Sequence, residues 1–328
     1  MKIVFVGDKR SPFNLQDAEI LSKKYLVTPI FVDLLGKDYL GMFRAGIFKI
    51  IPGILASDVS ITWFADYHAL FVVFFTKLFR KKSIVIVGGH EVCNMPEINY
   101  GYQTLAFRGY VSRWILRNTD KIVVPSDSYA QKVFFLINRP SVVIPNTAAP
   151  NLYAFHNTER DLGVVMVANQ YLPTKEYILL KGISIYNSIA SKFPDCKFYL
   201  IGNVSPEVKE EFTKISYLDS KNHDEVLRCL PRFKVYCQLS YTESFGVALL
   251  EAIQSGCIPV VTNKDGMKEL VEDQGYQIPY GGVEAGVIAV KQALESKENR
   301  DKIAVNYQKV YSKENRGTNF EKLIEDLR

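Results

Sequence analysis

The stretch Leu239–Thr262 reads LSYTESFGVALLEAIQSGCIPVVT, and it predicts a loop, a helix and a strand in that order. Ser240–Gly246 is small and polar, as in a loop, whereas Val247–Gln254 has the apolar spacing of a buried helix. Gly256 can end that helix in a left-handed conformation. The apolar run Ile258–Thr262 then predicts a short buried strand. This order is the repeating unit of a parallel α/β sheet.

Two glutamates flank the predicted start of this helix, Glu243 in the loop and Glu251 in the second turn. Gly246 lets a ligand approach the backbone closely, and the first-turn amides of residues 247–249 lack a helical acceptor, so they can bind an anion. Glu251 lies roughly 7.5 Å beyond Gly246 along the helix axis. That separation suits a diphosphate and the ribose of one nucleotide, with a carboxylate on the ribose hydroxyls. The alternative is that both glutamates only complement the helix dipole.

The string ESFGVALLEAIQSGCIPVV, residues 243–261, resembles the E-x7-E signature of the retaining family 4 glycosyltransferases, which have the GT-B fold. The resemblance is strong over residues 83–146 and 196–271 and weak over residues 8–60. It implies an α/β protein of two doubly wound, Rossmann-like domains that face each other across a cleft. It also implies transfer of a sugar from a nucleotide-sugar donor to an acceptor, with retention of the anomeric configuration and without a metal.

The same resemblance gives the two glutamates separate roles. Glu251 would hold the ribose of the donor, and Glu243 would bind hydroxyls of the donor sugar as a catalytic residue. The backbone amides around Gly246 would bind the distal phosphate. The donor-binding positions that it implies, besides Glu251, are Asn169, Lys175, Gly202, Leu218, Ser244, Phe245, Gly246 and Val247.

The family usually places an arginine and a lysine on the donor diphosphate. Here Asn169-Gln170 stands at the arginine position. Two lysines are candidates for the other cation, and we assign the catalytic role to Lys181, with Lys175 in reserve. We expect Lys181-Gly182 to open a helix after a long loop. The missing arginine favours an alternative, a catalytically silent protein that binds sugar nucleotides on the same fold.

A third predicted catalytic residue is His90, in the sequence Gly88-Gly89-His90-Glu91 after the predicted strand Ser83–Val87. Open α/β sheets bind ligands at the carboxyl ends of their strands, and His90 directly follows such an end. A structural role is the alternative. The family resemblance places this histidine in the active-site loop of the first domain, where it would contact the donor sugar or the acceptor.

The chain of 328 residues suits two domains of about 150 residues each. Strands and helices alternate throughout, which predicts parallel sheets. We place an N-terminal acceptor domain at residues 1–148 and a C-terminal donor domain at residues 149–311. A last helix within residues 312–328 is expected to pack back on the first domain.

Several classes of protein are not supported by the sequence. No apolar run reaches the length of a membrane span, and no signal peptide opens the chain, so we expect a cytoplasmic protein. The five cysteines form no C-x-x-C pair and are expected to be reduced thiols. There is no D-x-D motif, so we expect no metal. The loop Asp8–Asn14 lacks G-x-G-x-x-G, which argues against a nicotinamide enzyme.

The charge of the chain is uneven. Residues 1–150 hold 18 Lys and Arg against 11 Asp and Glu, whereas residues 151–328 hold 22 against 24. Tyr39–Leu55 mixes apolar residues with Arg44 and Lys49, which suits either a surface segment on a membrane or an ordinary helix over the sheet. The acceptor is therefore either lipid-linked, with peripheral contact to the inner face of a membrane, or a soluble glycan or small molecule. We expect no nucleic acid partner.

Overall fold

The computed structural model describes residues 1–8, 11–32, 41, 44–148, 162–168, 174–219 and 222–327. Contacts divide the chain into two compact units. The first unit is Met1–Pro145 together with Lys313–Arg328, and the second is Asn146–Ser312. The boundaries expected from the sequence, at residues 148 and 311, lie within three residues of these divisions.

The described part of the first unit contains a parallel sheet of six strands in the order β2-β1-β3-β4-β5-β6. Each of the strands β1 to β5 is followed by a helical connection that returns to the other end of the sheet, as parallel pairing requires. The strands are β1 (Lys2–Asp8), β2 (Leu26–Val32), β3 (Val59–Trp63), β4 (Lys82–Ile86), β5 (Lys121–Val124) and β6 (Val142–Val143). The helices are α1 (Pro12–Ser22), α2 (Ile51–Ala56, after a π-helical Gly46–Ile50), α3 (Tyr67–Leu78), α4 (Ala106–Asn118) and α5 (Asp127–Ile137).

Alternation of side chains along the strands gives this sheet two apolar faces. Ile3 and Phe5 of β1 belong to one core cluster, which includes residues of α1. Val4 and Val6 of the same strand point the other way, against the segment that contains α2. The helices α3, α4 and α5 pack on that second face, against alternate residues of β4 and β5.

The second unit contains another parallel sheet, with described strands in the order β12-β11-β10-β7-β8-β9. Its strands are β7 (Leu162–Val167), β8 (Phe198–Ile201), β9 (Ile215–Leu218), β10 (Phe233–Gln238), β11 (Ile258–Thr262) and β12 (Tyr276–Ile278). Its helices are α6 (Lys175–Lys181), α7 (Ile183–Ala190), α8 (Pro206–Glu211), α9 (His223–Cys229), α10 (Val247–Gln254), α11 (Asp265–Val271), α12 (Val283–Glu295) and α13 (Asp301–Val310). Two core clusters cover its two faces, so the expectation of two doubly wound α/β domains is confirmed.

The last helix, α14 (Lys313–Glu325), joins the first unit through a buried arginine. Arg316 donates to both carboxylate oxygens of Asp17 at 2.6 and 2.7 Å, and to the carbonyl of Pro145 at 2.6 Å. Trp63 donates its indole N–H to the same carboxylate at 2.8 Å. This network satisfies a buried charge pair on every side, which is the condition under which such a pair is tolerated in a core.

The sequence interpretation is partly wrong at the start of the second unit. A helix does begin after Gly182, which is the N-cap of α7 with φ of 69°. The residues before it are not all loop as expected, because Lys175–Lys181 forms the separate helix α6. For the segment Tyr39–Leu55, the structure describes only part of the residues. Its described residues from Gly46 onward are helical and pack over the sheet, whereas residues 39, 40, 42 and 43 lie outside the described part of the chain.

Candidate functional site

The candidate site in the second unit is built around the start of α10, at the carboxyl edge of β10. Gly246 precedes the helix with φ of 91°, a conformation that favours glycine. The first backbone hydrogen bond of the helix runs from the amide of Leu250 to the carbonyl of Gly246. The amides of residues 247–249 therefore have no helical acceptor and can bind an anion.

Glu243 lies just before this helix and is held by one of its two carboxylate oxygens. Its Oε1 accepts hydrogen bonds from Lys181 Nζ at 2.6 Å, from Gln238 at 3.2 Å and from Ser240 at 3.2 Å. Among the residues that the structure describes, all three contacts of this carboxylate are to Oε1, which leaves Oε2 for a ligand. The Glu243 side chain is 20% exposed. The hydrogen bonds at Oε1 thus fix the orientation of the carboxylate, while part of the side chain remains accessible to a ligand.

Lys181 supplies a permanent positive charge beside Glu243. Burial alone would lower the pKa of its ammonium group, but the Glu243 carboxylate at 2.6 Å outweighs that effect, and the pKa is raised. Lys181 is therefore charged throughout the physiological pH range. The structure brings together these two residues, which lie 62 positions apart in the sequence.

The position of Lys181 follows from how the end of α6 meets the end of β10. The Leu180 carbonyl accepts from the amide of Tyr241 at 2.8 Å, and the Leu179 carbonyl accepts from the Tyr280 hydroxyl at 2.7 Å. A Cβ atom on Gly182 would lie 2.0 Å from the Leu239 carbonyl oxygen. Glycine is required there because of both the close approach and the positive φ.

Glu251 points from the second turn of α10 and is almost fully covered, with a side chain 6% exposed. Its Oε1 lies 2.7 Å from Nε2 of His223, whose side chain is 62% exposed. This hydrogen bond raises the pKa of His223, and burial opposes the rise. His223 was not among the residues selected from the sequence. A histidine in a helix N-terminus carries no signal that could reveal a partner 28 positions away.

The other predicted donor contacts are placed as follows. Gly202 and Leu218 meet at the ends of β8 and β9, where the Gly202 amide donates to the Leu218 carbonyl at 3.1 Å. Phe245 is buried against Tyr311, so only its backbone can face a ligand. Lys175 is exposed at the first position of α6. Ser244 and Val247 lie on either side of Phe245-Gly246 and are half-buried. Asn169 and Gln170 lie outside the described residues.

His90 belongs to the first unit, where it begins a short 3-10 turn after β4. Its Nε2 accepts a hydrogen bond from the Gly101 amide at 3.1 Å, and its ring contacts those of Tyr100 and Tyr102 edge-on. Burial, and then the charge of Arg108, lower the pKa of His90 to about 4. The imidazole is therefore neutral at pH 7, and its proton is on Nδ1, because Nε2 acts as the acceptor.

A buried carboxylate orients the loop that carries His90. Glu91 is fully buried and accepts from the amides of Gly88 at 3.0 Å, Gly89 at 2.7 Å and Ala65 at 3.3 Å. Burial raises the pKa of Glu91, and the amide of Glu91 itself together with these three amides counteracts the rise. This carboxylate ties the turn after β4 to the end of β3.

Next to His90, the structure places a polar cluster that the sequence analysis missed as a unit. Asp66 accepts from the Tyr102 hydroxyl at 2.8 Å and forms an ion pair with Arg108. The Arg108 guanidinium lies 3.8 Å from the centre of the Tyr102 ring. Although burial alone would raise the pKa of Asp66, hydrogen bonding to Arg108 prevails and lowers it. Asp66 also caps α3, since it accepts from the Tyr67 amide at 2.8 Å.

Neither a metal centre nor a membrane span is found in the described part of the chain. No group of three or more His, Cys, Asp or Glu side chains there could hold a metal ion. No helix among the residues with described positions has the length and apolar character needed to cross a bilayer.

Comparison with known proteins adds a family match for the second unit. Residues 156–310 match the family model of the Glycosyl transferases group 1. One of the subunits of human phosphatidylinositol N-acetylglucosaminyltransferase is 27% identical over 143 residues, which are 41% of this chain and 28% of that protein. The chain thus matches little more than a quarter of the length of this curated relative.

Solved structures resemble the chain over its whole length. A sucrose-phosphate synthase from Thermosynechococcus elongatus gives a TM-score of 0.78 at 13% identity, covering 100% of this chain and 99% of its own. The Anabaena protein HepE, in complex with UDP and glucose, gives 0.76 at 15% identity and covers 99% and 100%. An E. coli trehalose-6-phosphate structure bound with UDP-2-fluoro glucose gives 0.71 at 12% identity and covers 100% and 99%. The fold, two parallel sheets with flanking helices, is that of GT-B proteins.

Proposed function

We propose that this protein is a retaining, metal-independent glycosyltransferase that moves a sugar from a nucleotide-sugar donor to an acceptor hydroxyl. The observation that carries the proposal is the arrangement at the start of α10. Lys181 lies 2.6 Å from Glu243 there, beside unpaired first-turn amides, and Glu251 follows one turn inside the helix. The cation and the row of amides suit the diphosphate of a nucleotide sugar, and the two carboxylates suit its sugar and its ribose.

Each part of the donor has an assigned partner in this proposal. Glu251 accepts from the ribose hydroxyls, and the amides of residues 245–247 bind the distal phosphate. Glu243 uses Oε2 for hydroxyls of the donor sugar, since Oε1 is already occupied by Lys181 and two neutral donors. Gly202 and Leu218 provide backbone at the neighbouring strand ends. His90, which is neutral and carries its proton on Nδ1, contacts the donor sugar or the acceptor in this proposal.

Catalysis in this proposal rests on stabilising the leaving group. The bond between the anomeric carbon and the phosphate oxygen breaks, and its electron pair leaves with the nucleoside diphosphate. The acceptor oxygen forms its bond on the same face of the sugar, and the proton of the acceptor hydroxyl passes to the departing phosphate oxygen. The negative charge that develops on the diphosphate meets Lys181 and the helix amides, which are already in place. Lys181 takes the position of the lysine that the family places on the diphosphate, with Lys175 in reserve. No metal ion is needed in this scheme.

For the acceptor, we propose a lipid-linked sugar or glycolipid in glycan assembly, used at the inner face of a membrane. The positive balance of residues 1–150 supports this class over a soluble acceptor. The curated relative, which is named for phosphatidylinositol and N-acetylglucosamine, gives further support.

The test is a panel of nucleotide sugars, starting with UDP-glucose and UDP-N-acetylglucosamine, against lipid-linked and soluble acceptors, with release of nucleoside diphosphate as the readout. We expect acceptor-dependent release that persists in EDTA, and a product whose anomeric proton has the donor's configuration by NMR. Donor binding without release on any acceptor, and with Glu243→Ala unchanged, would identify a silent binding protein. Inverted product would refute retention.

A further inference from the structure

One helical layer of the first unit carries most of the exposed large apolar side chains of the described chain. It consists of residues 44–56, α3, α4 and α5, which share one face of the sheet. Its exposed members are Ile47, Phe48, Leu55, Phe74, Leu78, Leu105, Phe107, Tyr110, Phe134 and Phe135. Phe48 is 74% exposed and Phe135 is 84% exposed. Apolar groups that recur on one face mark an interaction surface rather than a random scatter.

The segments of this layer are fixed side by side. Lys81, directly after α3, donates to the carbonyls of Ile54 and Leu55 in α2. Tyr67 at the start of α3 stacks on Phe107 of α4, with ring centres 6.2 Å apart. Arg139, after α5, donates to carbonyls at the end of α4. The exposed apolar residues therefore belong to one continuous, preformed surface.

The same layer is strongly basic. Residues 44–56, 67–82, 105–118 and 127–139 hold eleven Lys and Arg and a single acidic residue, Asp127. The opposite layer, α1 and α14, holds three basic and five acidic residues. Some basic groups of the first layer serve the fold, such as Lys81. Within the described part of the chain, Arg44, Lys49, Arg80 and Arg117 are exposed and form no ion pair.

We propose that this layer docks on the surface of an anionic phospholipid bilayer. Exposed phenylalanines can enter the interface between headgroups and acyl chains, while the lysines and arginines remain at the phosphates. A second copy of the chain suits this face less, because two such surfaces would bring like charges together. Since no described helix is long enough to span a bilayer, the attachment is peripheral and reversible.

The experiment is sedimentation of the full chain with phosphatidylcholine vesicles that contain increasing phosphatidylglycerol, without donor or acceptor. It is therefore independent of the proposed reaction. We expect binding that rises with the anionic fraction and falls with salt. Arg44→Glu/Lys49→Glu should weaken binding by roughly fivefold or more for each residue changed. Phe48→Ser/Phe135→Ser should weaken it as well, at unchanged net charge.

The matched control is Lys23→Glu/Lys313→Glu, which makes the same change in net charge next to and within the opposite layer. We expect its vesicle binding to stay within a few-fold of wild type, with all variants checked for folding by thermal melting. The proposal is overturned by equal binding to neutral vesicles, or by an equal loss in this control. It is also overturned if sedimentation velocity shows a dimer that Phe48→Ser/Phe135→Ser dissociates, since the layer is then an interface between copies.

Discussion

Replacement of Lys181 by alanine is the sharpest test of the proposed chemistry. The change removes the ammonium group that lies 2.6 Å from Glu243 but leaves Gln238 and Ser240 on the same carboxylate oxygen. Glu243 therefore keeps two of its three partners and its orientation. The perturbation is then confined to a single charge at the start of α10.

The structure sets the size of the two expected effects. One preorganised donor to a developing negative charge contributes about 10²–10³ in turnover, so we expect a loss of that order in kcat. The effect on folding is smaller, because the side chains of Lys181 and Glu243 are 24% and 20% exposed and water can partly replace the ammonium. We expect destabilisation near the lower end of about 1–3 kcal/mol.

The assay is steady-state release of nucleoside diphosphate, together with donor affinity from isothermal titration calorimetry. A contact that strengthens in the transition state should lower kcat more than it weakens donor binding. The matched control is Lys175→Ala, because Lys175 is exposed at the other end of the same helix, α6. We expect that variant to keep near-wild-type turnover and stability.

Two results would refute the reasoning. If Lys181→Ala turns over normally while Lys175→Ala is inactive, the diphosphate cation has been assigned to the wrong end of α6. If Lys181→Ala loses donor affinity and kcat/KM by the same factor with kcat unchanged, the ammonium group binds the ground state and the transition state equally. A melting temperature that falls by more than about 10 °C would show that the variant reports on folding instead.

The remaining predictions concern neighbouring residues. Glu251→Ala should weaken binding of free nucleoside diphosphate, whereas Glu243→Ala should leave that binding nearly intact and lower turnover; equal losses by calorimetry would contradict the separate roles. Pairing with Glu251 raises the pKa of His223, so the pair is strongest while the histidine is protonated. A ribose that displaces the histidine should therefore bind more tightly as pH rises above about 6.5; a flat profile, or one that survives in His223→Ala, would exclude this competition. Gly182→Ala should destabilise the protein by more than about 1–3 kcal/mol, since left-handed strain adds to the clash with Leu239; an unchanged melting temperature would contradict it. His90→Gln should leave the shape of the pH–rate profile above pH 6 unchanged, because the pKa of His90 is about 4; a change in that profile near pH 7 would contradict this.

Local sequence determined the elements around the proposed donor site. The bounds predicted for α10 and β11 agree with the structure, and Gly256 adopts the expected left-handed conformation with φ of 79°. The signals for these two elements are the apolar period of the helix, the glycine after it and the apolar run of the strand, all of which act within a few residues. The alternation of strands and helices likewise predicted two parallel sheets.

Tertiary structure decided which side chains meet. The pairing of Lys181 with Glu243 and that of His223 with Glu251 join residues 62 and 28 positions apart, and no periodicity encodes such distances. The helix α6, which lies where a loop was expected, has the same cause, because it ends where Tyr241 and Leu239 of the neighbouring strand end meet it. Helix and strand propensities are properties of one segment on its own, whereas packing between segments fixes where each segment ends and which charged side chains pair.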